Sequence, residues 1–339
     1  MARPTINDLA EAAEVSVSTV KRVISGAGAV RPDTMERVRS AAEEIGFYGL
    51  GSIRSSIASR RPHHTFRFIM QNPNADFCQA ATEGLEAAVR SVADRTIKLQ
   101  IDCLDDLSPE YVAARIDQMS PEVEAVGIVA ADHPIVTEAI DRVAERGVRI
   151  FALVSLLSAR SLSGYVGLDS WKVGRTAAWT FDMARPQGGK VAILVGTHRY
   201  RCHEMNEAGF RSYFREYGQN FTLLEAVSTF ESEGVAREVT DKLLREHPDI
   251  VGVYAASGGI SGVLGAVRDA GKSGQLVIVT YDLSPATRQG LANRLLTVVI
   301  SHPFMKIGQE AIAVMMHSGQ IIGPRTIHVP FDIYTPENL

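Results

Sequence analysis

The stretch TINDLAEAAEVSVSTVKRVIS, from Thr5 to Ser25, contains two short helical patterns with a break between them. Small and apolar residues recur at helical spacing from Leu9 to Ala13, after a threonine that can cap the first turn. The pattern breaks at Glu14, and Ser16 then provides the N-cap of a second helix. Two short helices joined by a tight turn bury each other's apolar stripes and leave one polar face outward. The pattern therefore predicts a helix-turn-helix, whose second helix enters the major groove of DNA.

The polar face of the second helix supplies the predicted DNA contacts. We expect Val17, Ser18 and Arg22 at base edges, and Thr5, Ser16, Thr19 and Lys21 near phosphates. A pair of core helices within a larger α/β domain is the alternative, because helix pairs with this periodicity are common.

The residues themselves favour DNA binding. The stretch resembles the helix-turn-helix of the lac/galactose repressor family, whose signature runs T-x-x-D-V-A-x-x-A-G-V-S-x-x-T-V-S-R-V. The positions that match in register are Thr5, Asp8, Ala10, Ala13, Val15, Ser16, Thr19, Val20, Arg22 and Val23. Glu14 replaces the turn glycine, which puts the turn geometry in question because Glu tolerates positive φ less well. Lys21 replaces a serine and adds a cation on the side expected to face phosphates.

Composition excludes several classes of protein. With 339 residues, 45% hydrophobic and 22% charged, the chain is long enough for two or three globular domains. No apolar run approaches the roughly 18 residues of a membrane span, and the N-terminus lacks the apolar core of a signal peptide. Three distant cysteines, Cys78, Cys103 and Cys202, predict reduced thiols and no metal site. We therefore expect a cytoplasmic protein with no membrane partner.

The formal net charge of −4 divides unevenly along the chain. Residues 1–64 carry nine Lys and Arg against seven Asp and Glu, a balance of +2; the remainder carries 26 against 32, a balance of −6. The positive balance thus coincides with the predicted DNA-binding region, although the excess is small.

The helical region is predicted to end near Phe47 and to be followed by a linker. Pro32 suits the first position of a third helix, so residues 1–47 form a three-helix domain. Gly, Ser and Arg residues then mark a hinge or linker over 48–64. The family resemblance implies a hinge helix here that inserts an apolar side chain into the minor groove. Ile57 is the preferred wedge, because it has no obvious core to join, and Ile53 is the second choice.

From residue 65 onward, buried strands alternate with helical stretches. The predicted strands are Phe66–Met70, Ile97–Ile101, Ala125–Ala130, Val148–Val154, Val191–Val195, Ile250–Ala255 and Leu276–Tyr281. The predicted helices are Ala80–Val92, Glu110–Met119, Ile135–Arg146, Val173–Ala184, Glu207–Tyr217 and Gly234–Glu246. This alternation predicts an α/β fold with parallel sheets. The number of units favours two lobes: 65–165 with 302–327, and 166–301 with 328–339.

This core also resembles the effector-binding core of the same repressor family, which is built like periplasmic sugar-binding proteins. The best match is VGLDSWKVGRTAA, Val166 to Ala178, against the family's V-G-x-D-N-x-x-A-G-R-x-A-A. Gly209-Phe210, VTYDLS from Val279 to Ser284, and Gly308 after His302-Pro303 are weaker matches. The resemblance implies that residues 65–339 bind an effector and form the dimer.

Ligands of two-lobed α/β proteins bind where strands end, in the cleft between lobes. The candidate effector-binding residues are Asp76, Phe77, Asp132, Asn206, Ser257, Asp282 and His302. The resemblance assigns sugar hydroxyls to Asp282, whose alternative role is to cap the following turn. It often places Arg at the position of Asn206, and Asn-Asp after the sixth strand, where this chain has Ala256-Ser257 followed by Gly258-Gly259. Both changes remove charge and favour a neutral ligand such as a sugar or cyclitol.

A glycine-rich loop supports a rival prediction. Ser257, Gly259 and Gly262 follow a strand, and Asp282 ends the next one, which approximates a dinucleotide-binding fingerprint. An NAD-dependent dehydrogenase would use Asp282 on the ribose. The loop comes late in the chain, however, and we find no pair of residues suited to hydride-transfer acid–base chemistry. We therefore expect no enzyme, catalytic residue or cofactor.

These observations predict a ligand-responsive transcriptional regulator, most simply a repressor. It would bind a palindromic double-stranded DNA operator as a homodimer, with assembly into a tetramer left open. A sugar- or cyclitol-like effector would change the DNA affinity by shifting the two lobes.

Overall fold

The computed structural model describes residues 3–59, 61–71, 75–218, 220–317 and 323–339. The chain divides into two compact units, one of residues 1–64 with 92–98 and the other of residues 65–91 with 99–339.

The first unit is built from four helices, α1 (Ile6–Ala12), α2 (Val17–Ser25), α3 (Pro32–Glu44) and α4 (Leu50–Ser59). The Thr5 side chain and Asp8 form a capping box at the start of α1. Ser16 caps α2 by accepting a hydrogen bond from the Thr19 amide at 3.2 Å. Leu9, Val20, Val23 and Val38 are fully buried and hold the helices together. The expected pair of helices is thus formed by the expected caps and apolar residues.

The turn between α1 and α2 has the geometry that the sequence put in question. Glu14 has a φ of 55°, in the left-handed region where glycine is favoured. Its amide donates to the carbonyl of Glu11 at 3.0 Å, and the Val15 amide donates to that of Ala10 at 3.0 Å. The turn therefore keeps its hydrogen bonds while a non-glycine residue occupies its strained position.

The predicted linker is largely helical, because its apolar residues are spaced along one face of α4. Ile53 is fully buried in the core of the first unit, and Ile57 packs against the same core while remaining partly exposed. An ion pair of 2.6 Å between Arg54 and Glu43 joins α4 to α3. The prediction that Ile57 has no core to join is therefore wrong.

The second unit contains two six-stranded sheets covered by helices. The strands are β1 (His63–Gln71), β2 (Thr96–Leu104), β3 (Ala125–Val129), β4 (Arg149–Leu153), β5 (Leu162–Gly167), β6 (Gly189–Val195), β7 (Phe221–Ser228), β8 (Ile250–Ala255), β9 (Val277–Tyr281), β10 (Val298–Ser301), β11 (Arg325–His328) and β12 (Asp332–Tyr334). The helices are α5 (Ala75–Ser91), α6 (Pro109–Asp117), α7 (Pro134–Glu145), α8 (Ser170–Ala184), α9 (Arg201–Glu216), α10 (Glu233–Glu246), α11 (Ile260–Asp269), α12 (Pro285–Ala292) and α13 (Phe304–Met316).

Each sheet forms one lobe. The strand order is β11-β5-β4-β3-β1-β2 in the first lobe and β12-β10-β9-β8-β6-β7 in the second. In the first sheet, β1 pairs with β3, β3 with β4 and β4 with β5, all in parallel. In the second sheet, β6 pairs in parallel with β7 and β8, and β9 pairs in parallel with β8 and β10, whereas β12 is antiparallel to β10. The chain passes to the second lobe after Gly167, returns after Ser301 and crosses again after His328. The predicted two-lobed α/β fold is confirmed.

Both central sheets have apolar cores because helices cover their faces. Ile128, Val126 and Ile150 are fully buried in the first lobe, and Ile278 and Val299 in the second. All seven predicted strands form. Five further strands, β5, β7, β10, β11 and β12, were not predicted because they are short, partly exposed or interrupted by glycine.

Candidate functional site

A cavity of about 260 Å³ lies between the two lobes, at the ends of their strands. Ligand pockets commonly measure about 300–1,000 Å³, so this cavity suits a small molecule. Six of the seven candidate residues line it: Asp76, Phe77, Asn206, Ser257, Asp282 and His302.

Asp282 lies at the end of β9, and its carboxylate is held by the residue that begins the chain's return to the first lobe. One oxygen, Oδ1, accepts a hydrogen bond from the His302 amide at 2.9 Å and lies 2.8 Å from Nδ1 of the same residue. The residue has a φ of 58°. Ser284, not Asp282, caps α12, since it accepts from the Thr287 amide. The carboxylate is therefore not needed as the helix cap, and none of the hydrogen bonds recorded for the described residues uses its second oxygen.

The first lobe supplies an aromatic wall. Phe77 on α5 is mostly buried and meets Phe304 edge to face, with 5.2 Å between ring centroids. His302 stacks on Phe304 at 5.5 Å. Asp76 is exposed at the start of α5, next to this wall. An apolar surface bordered by a few polar groups is typical of sites that bind small molecules.

The second lobe supplies buried polar groups. Asn206 on α9 is 5% exposed, and its Oδ1 has no hydrogen-bond partner among the described residues. Ser257, which follows β8, lies with its hydroxyl 3.4 Å from that of Thr229. A buried acceptor without a partner is unfavourable until a donor fills it, so this part of the cavity is prepared for a hydrogen-bonding ligand.

Asp132 does not line the cavity. Its Oδ1 accepts hydrogen bonds from the Ser158 amide at 3.0 Å and from the Ser158 hydroxyl at 2.9 Å. It thus orders a neighbouring loop. Asp132 follows a strand, as ligand-binding residues of this fold commonly do, but its carboxylate is already hydrogen-bonded to Ser158.

Sequence reasoning missed several polar residues in the cavity, among them Tyr200, His203, Glu231 and Arg288. Burial lowers the pKa of His203, which keeps this imidazole neutral near pH 7. Glu231 follows β7, a half-buried strand with no clear period, so the sequence contained no strand end to mark it.

Several hydrogen bonds join the lobes beside the cavity, one of them from the Cys202 amide to the Ser155 hydroxyl at 3.5 Å. The Tyr200 hydroxyl donates to the carbonyl of Gln71 at 2.6 Å. The Asp132 amide donates to the carbonyl of Arg199 at 2.7 Å. The last two connect a strand end of the first lobe to the loop before α9, so a change in lobe separation must break them.

The glycine-rich loop is not free to bind a pyrophosphate. The Gly258 amide donates to Glu231 at 2.8 Å, and the Gly262 amide donates to Glu233 at 2.5 Å. Two carboxylates therefore occupy the N-terminal end of α11, where a dinucleotide would place its own negative charge. Gly262 also allows close packing, because a Cβ there would collide with the carbonyl of Glu233. This arrangement argues against the dehydrogenase alternative.

In the first unit, most of the residues predicted to contact DNA are accessible to solvent. Thr5, Ser16, Ser18, Lys21 and Arg22 are exposed, whereas Val17 and Thr19 are partly buried. The Ser16 hydroxyl lies 2.8 Å from that of Ser18 and 2.9 Å from that of Thr19. Among the described residues, no group of three or more His, Cys, Asp or Glu is arranged to hold a metal ion. No helix in the described ranges is long and apolar enough to cross a membrane.

Two family models match the chain. Residues 66–320 match the periplasmic binding protein domain, and residues 5–49 match the bacterial regulatory proteins of the lacI family. The maltose regulon regulatory protein MalI of Escherichia coli is 26% identical over 275 residues, which cover 80% of this chain and 78% of MalI. A D-ribose/D-allose-binding protein of Pseudomonas aeruginosa is 23% identical over 222 residues, 63% of this chain and 69% of that protein.

Solved structures show the same fold for the core. The glucose-galactose binding protein GanP of Geobacillus stearothermophilus superposes with a TM-score of 0.73 at 15% identity, covering 82% of this chain and 99% of GanP. A solute-binding protein of Actinobacillus succinogenes with bound D-allose gives a TM-score of 0.71 at 21% identity, covering 81% and 98%. Over residues 66–320 the chain belongs to the periplasmic binding protein domain family, and it carries at residues 5–49 a segment that matches the bacterial regulatory proteins of the lacI family.

Proposed function

We propose that this protein is a sugar-responsive transcriptional repressor that binds a palindromic operator as a homodimer in the cytoplasm. The observation that carries the proposal is the presence, on one chain, of a lacI-type helix-turn-helix and a two-lobed sugar-binding core. Its relatives support both halves, since MalI is a regulator and the P. aeruginosa protein is named for binding ribose and allose.

DNA recognition is assigned to α2 and its flanks. Arg22, Val17 and Ser18 would read base edges, while Thr5, Ser16, Thr19 and Lys21 would contact phosphates. A two-fold dimer would place two α2 helices in successive major grooves about one helical turn apart, which explains the expected palindrome.

Effector recognition is assigned to the cavity between the lobes. Asp282 and Asn206 would accept hydrogen bonds from sugar hydroxyls, Ser257 would add a hydroxyl, and Phe77 would cover one face of the ring. The protein would act by binding and not by catalysis. A bound sugar would change the lobe arrangement and thereby the operator affinity.

Selection from random duplexes tests the DNA-binding half. The purified protein should enrich an inverted repeat, and sedimentation of the complex should give two protomers per site. Enrichment of a single unrepeated half-site, or one protomer per duplex, would rule out the symmetric dimer.

A further inference from the structure

Glu231 is a buried carboxylate that faces the cavity with one oxygen unused. Its side chain is 5% exposed. Oε2 accepts the hydrogen bond from the Gly258 amide at 2.8 Å, whereas Oε1 has no hydrogen-bond partner among the described residues. Nε2 of His203 lies 3.8 Å from Oε1, which is too far for a hydrogen bond.

The backbone at Glu231 is held in an uncommon conformation. Phe230 and Glu231 have φ values of 53° and 59°, both in the left-handed region that non-glycine residues avoid. Hydrogen bonds from the Thr229 amide to the Val195 carbonyl at 2.7 Å, and from the Phe230 amide to the Gly196 carbonyl at 2.9 Å, hold the segment in place. Strained backbone of this kind concentrates at functional sites.

The neighbouring strand makes room for the carboxylate. Gly196 follows β6, and a Cβ at this position would collide with Oε1 of Glu231. The same atom would also press on the ring of His203, whose burial keeps it neutral. Apart from His203, the described residues place no cationic nitrogen within 4 Å of the Glu231 carboxylate, and its unpartnered oxygen requires a donor from elsewhere.

We propose that Glu231 determines effector specificity by accepting hydrogen bonds from the hydroxyls of a neutral sugar or polyol, and that it excludes acidic sugars. Asn206 presents a second buried acceptor without a partner in the same cavity, and Asp282 presents a third acceptor there. Three acceptors require a ligand that is rich in hydrogen-bond donors. Two of these acceptors, Glu231 and Asp282, are carboxylates, and they would repel a ligand that carries a carboxylate of its own. The inference rests on the proposed sugar response and names the ligand class that the site selects.

Calorimetry of the full-length protein tests the proposal with neutral pentoses, hexoses and inositols, each beside its uronic acid or phosphate. The wild type should bind a neutral member and reject its acidic counterpart. E231Q should bind that member about 10- to 100-fold more weakly, because it loses a charge-assisted acceptor. The matched control is E233Q. Glu233 also accepts a backbone hydrogen bond, from the Gly262 amide, but it does not line the cavity. The sugar affinity of E233Q should therefore stay within about twofold of the wild-type value.

Thermal melting of the ligand-free variants separates recognition from a structural role. Gln can still accept from Gly258, so E231Q should melt no more than about 2 °C below the wild type. Unchanged sugar affinity in E231Q, a larger fall in its melting temperature, or preference of the wild type for an acidic sugar would each overturn the inference while leaving a sugar response intact. If the wild type binds no sugar in the panel, the proposed function itself fails, and the inference fails with it.

Discussion

Glu14 shows how a single residue departs from its family pattern at a structural cost. Its φ of 55° places a bulky side chain in a conformation that disfavours L-residues by about 1–2 kcal/mol. We expect Glu14→Gly to stabilise α1 and α2 by about 1 kcal/mol, the gain being reduced by the entropy of glycine in the unfolded chain. Hydrogen exchange of the α1 and α2 amides in the full chain measures this change.

The control for this prediction is Glu11, an exposed residue inside α1. Glu11→Gly should lower the same local stability by roughly 0.5–1 kcal/mol. If both substitutions lower protection of the α1 amides, the positive φ at Glu14 is not a source of strain.

At Asp282 the structure separates two roles that the sequence left open. Asn keeps an acceptor for the His302 amide and tolerates positive φ, so Asp282→Asn should leave ligand-free stability nearly unchanged. Sugar affinity should fall by roughly 1.5–3 kcal/mol, because a charge-assisted acceptor is lost. Calorimetry decides the question, and an unaltered sugar affinity would remove Asp282 from the site.

The sequence located candidate residues where a strand pattern ended clearly. Asp282 and His302 were identified because an apolar run or a family motif precedes them, and both line the cavity. Glu231 was missed because β7 is half-buried and shows no period. The sequence also could not show that Ser158 already uses the carboxylate of Asp132, since that contact joins loops 26 residues apart.

Helix α2 carries two cations, Lys21 and Arg22, that should contribute differently to DNA binding. Arg22→Ala should weaken specific operator binding by roughly 1–3 kcal/mol and relax the preference at one base pair. Lys21→Ala should weaken all sequences alike and reduce the salt dependence, because a phosphate contact carries no sequence information. Fluorescence anisotropy on specific and scrambled duplexes distinguishes them; an unimpaired specific affinity in Arg22→Ala would contradict the proposed docking.

Helix α4 combines a structural residue and a candidate minor-groove wedge one turn apart. Ile53 is fully buried, so Ile53→Ala should reduce the stability of the first unit by about 2–5 kcal/mol. Ile57 is partly exposed, so Ile57→Ala should lower stability less and instead abolish DNA bending. Gel phasing with the selected operator reports the bend, and an unchanged bend in Ile57→Ala excludes this residue as the wedge.

Element assignment from the sequence succeeded for the longer apolar runs and failed for most of the short or exposed strands, although the partly buried β2 was predicted and the short, buried β10 was missed. Strands β3, β6 and β8 are continuous apolar runs, as expected for strands covered on both faces. Strands β11 and β12 are short and largely exposed, so no hydrophobic pattern marks them. The Gly and Ser residues around α4 likewise concealed its apolar face, which becomes evident only through packing on the first unit.

In the whole molecule, regulation by a sugar requires that sugar binding and operator binding be coupled. Hydrogen bonds join the lobes beside the cavity, among them those from Tyr200 to Gln71 and from Asp132 to Arg199. These contacts would form in one arrangement of the lobes and break when the lobes separate. A ligand that binds one arrangement more tightly would shift the equilibrium between the two. Coupling energies of about 1–3 kcal/mol are typical, and the effect must be reciprocal.

The most direct test is the operator affinity of the full-length protein with and without the neutral sugar found by calorimetry, at fixed salt. We predict that saturating sugar raises the operator Kd by about 5- to 150-fold and that bound operator weakens sugar binding by the same factor. Asp282→Asn should bind the operator normally and fail to respond at the sugar concentration that saturates the wild type. An operator Kd that stays constant while the sugar demonstrably occupies the protein would show that sugar binding and operator binding are not coupled.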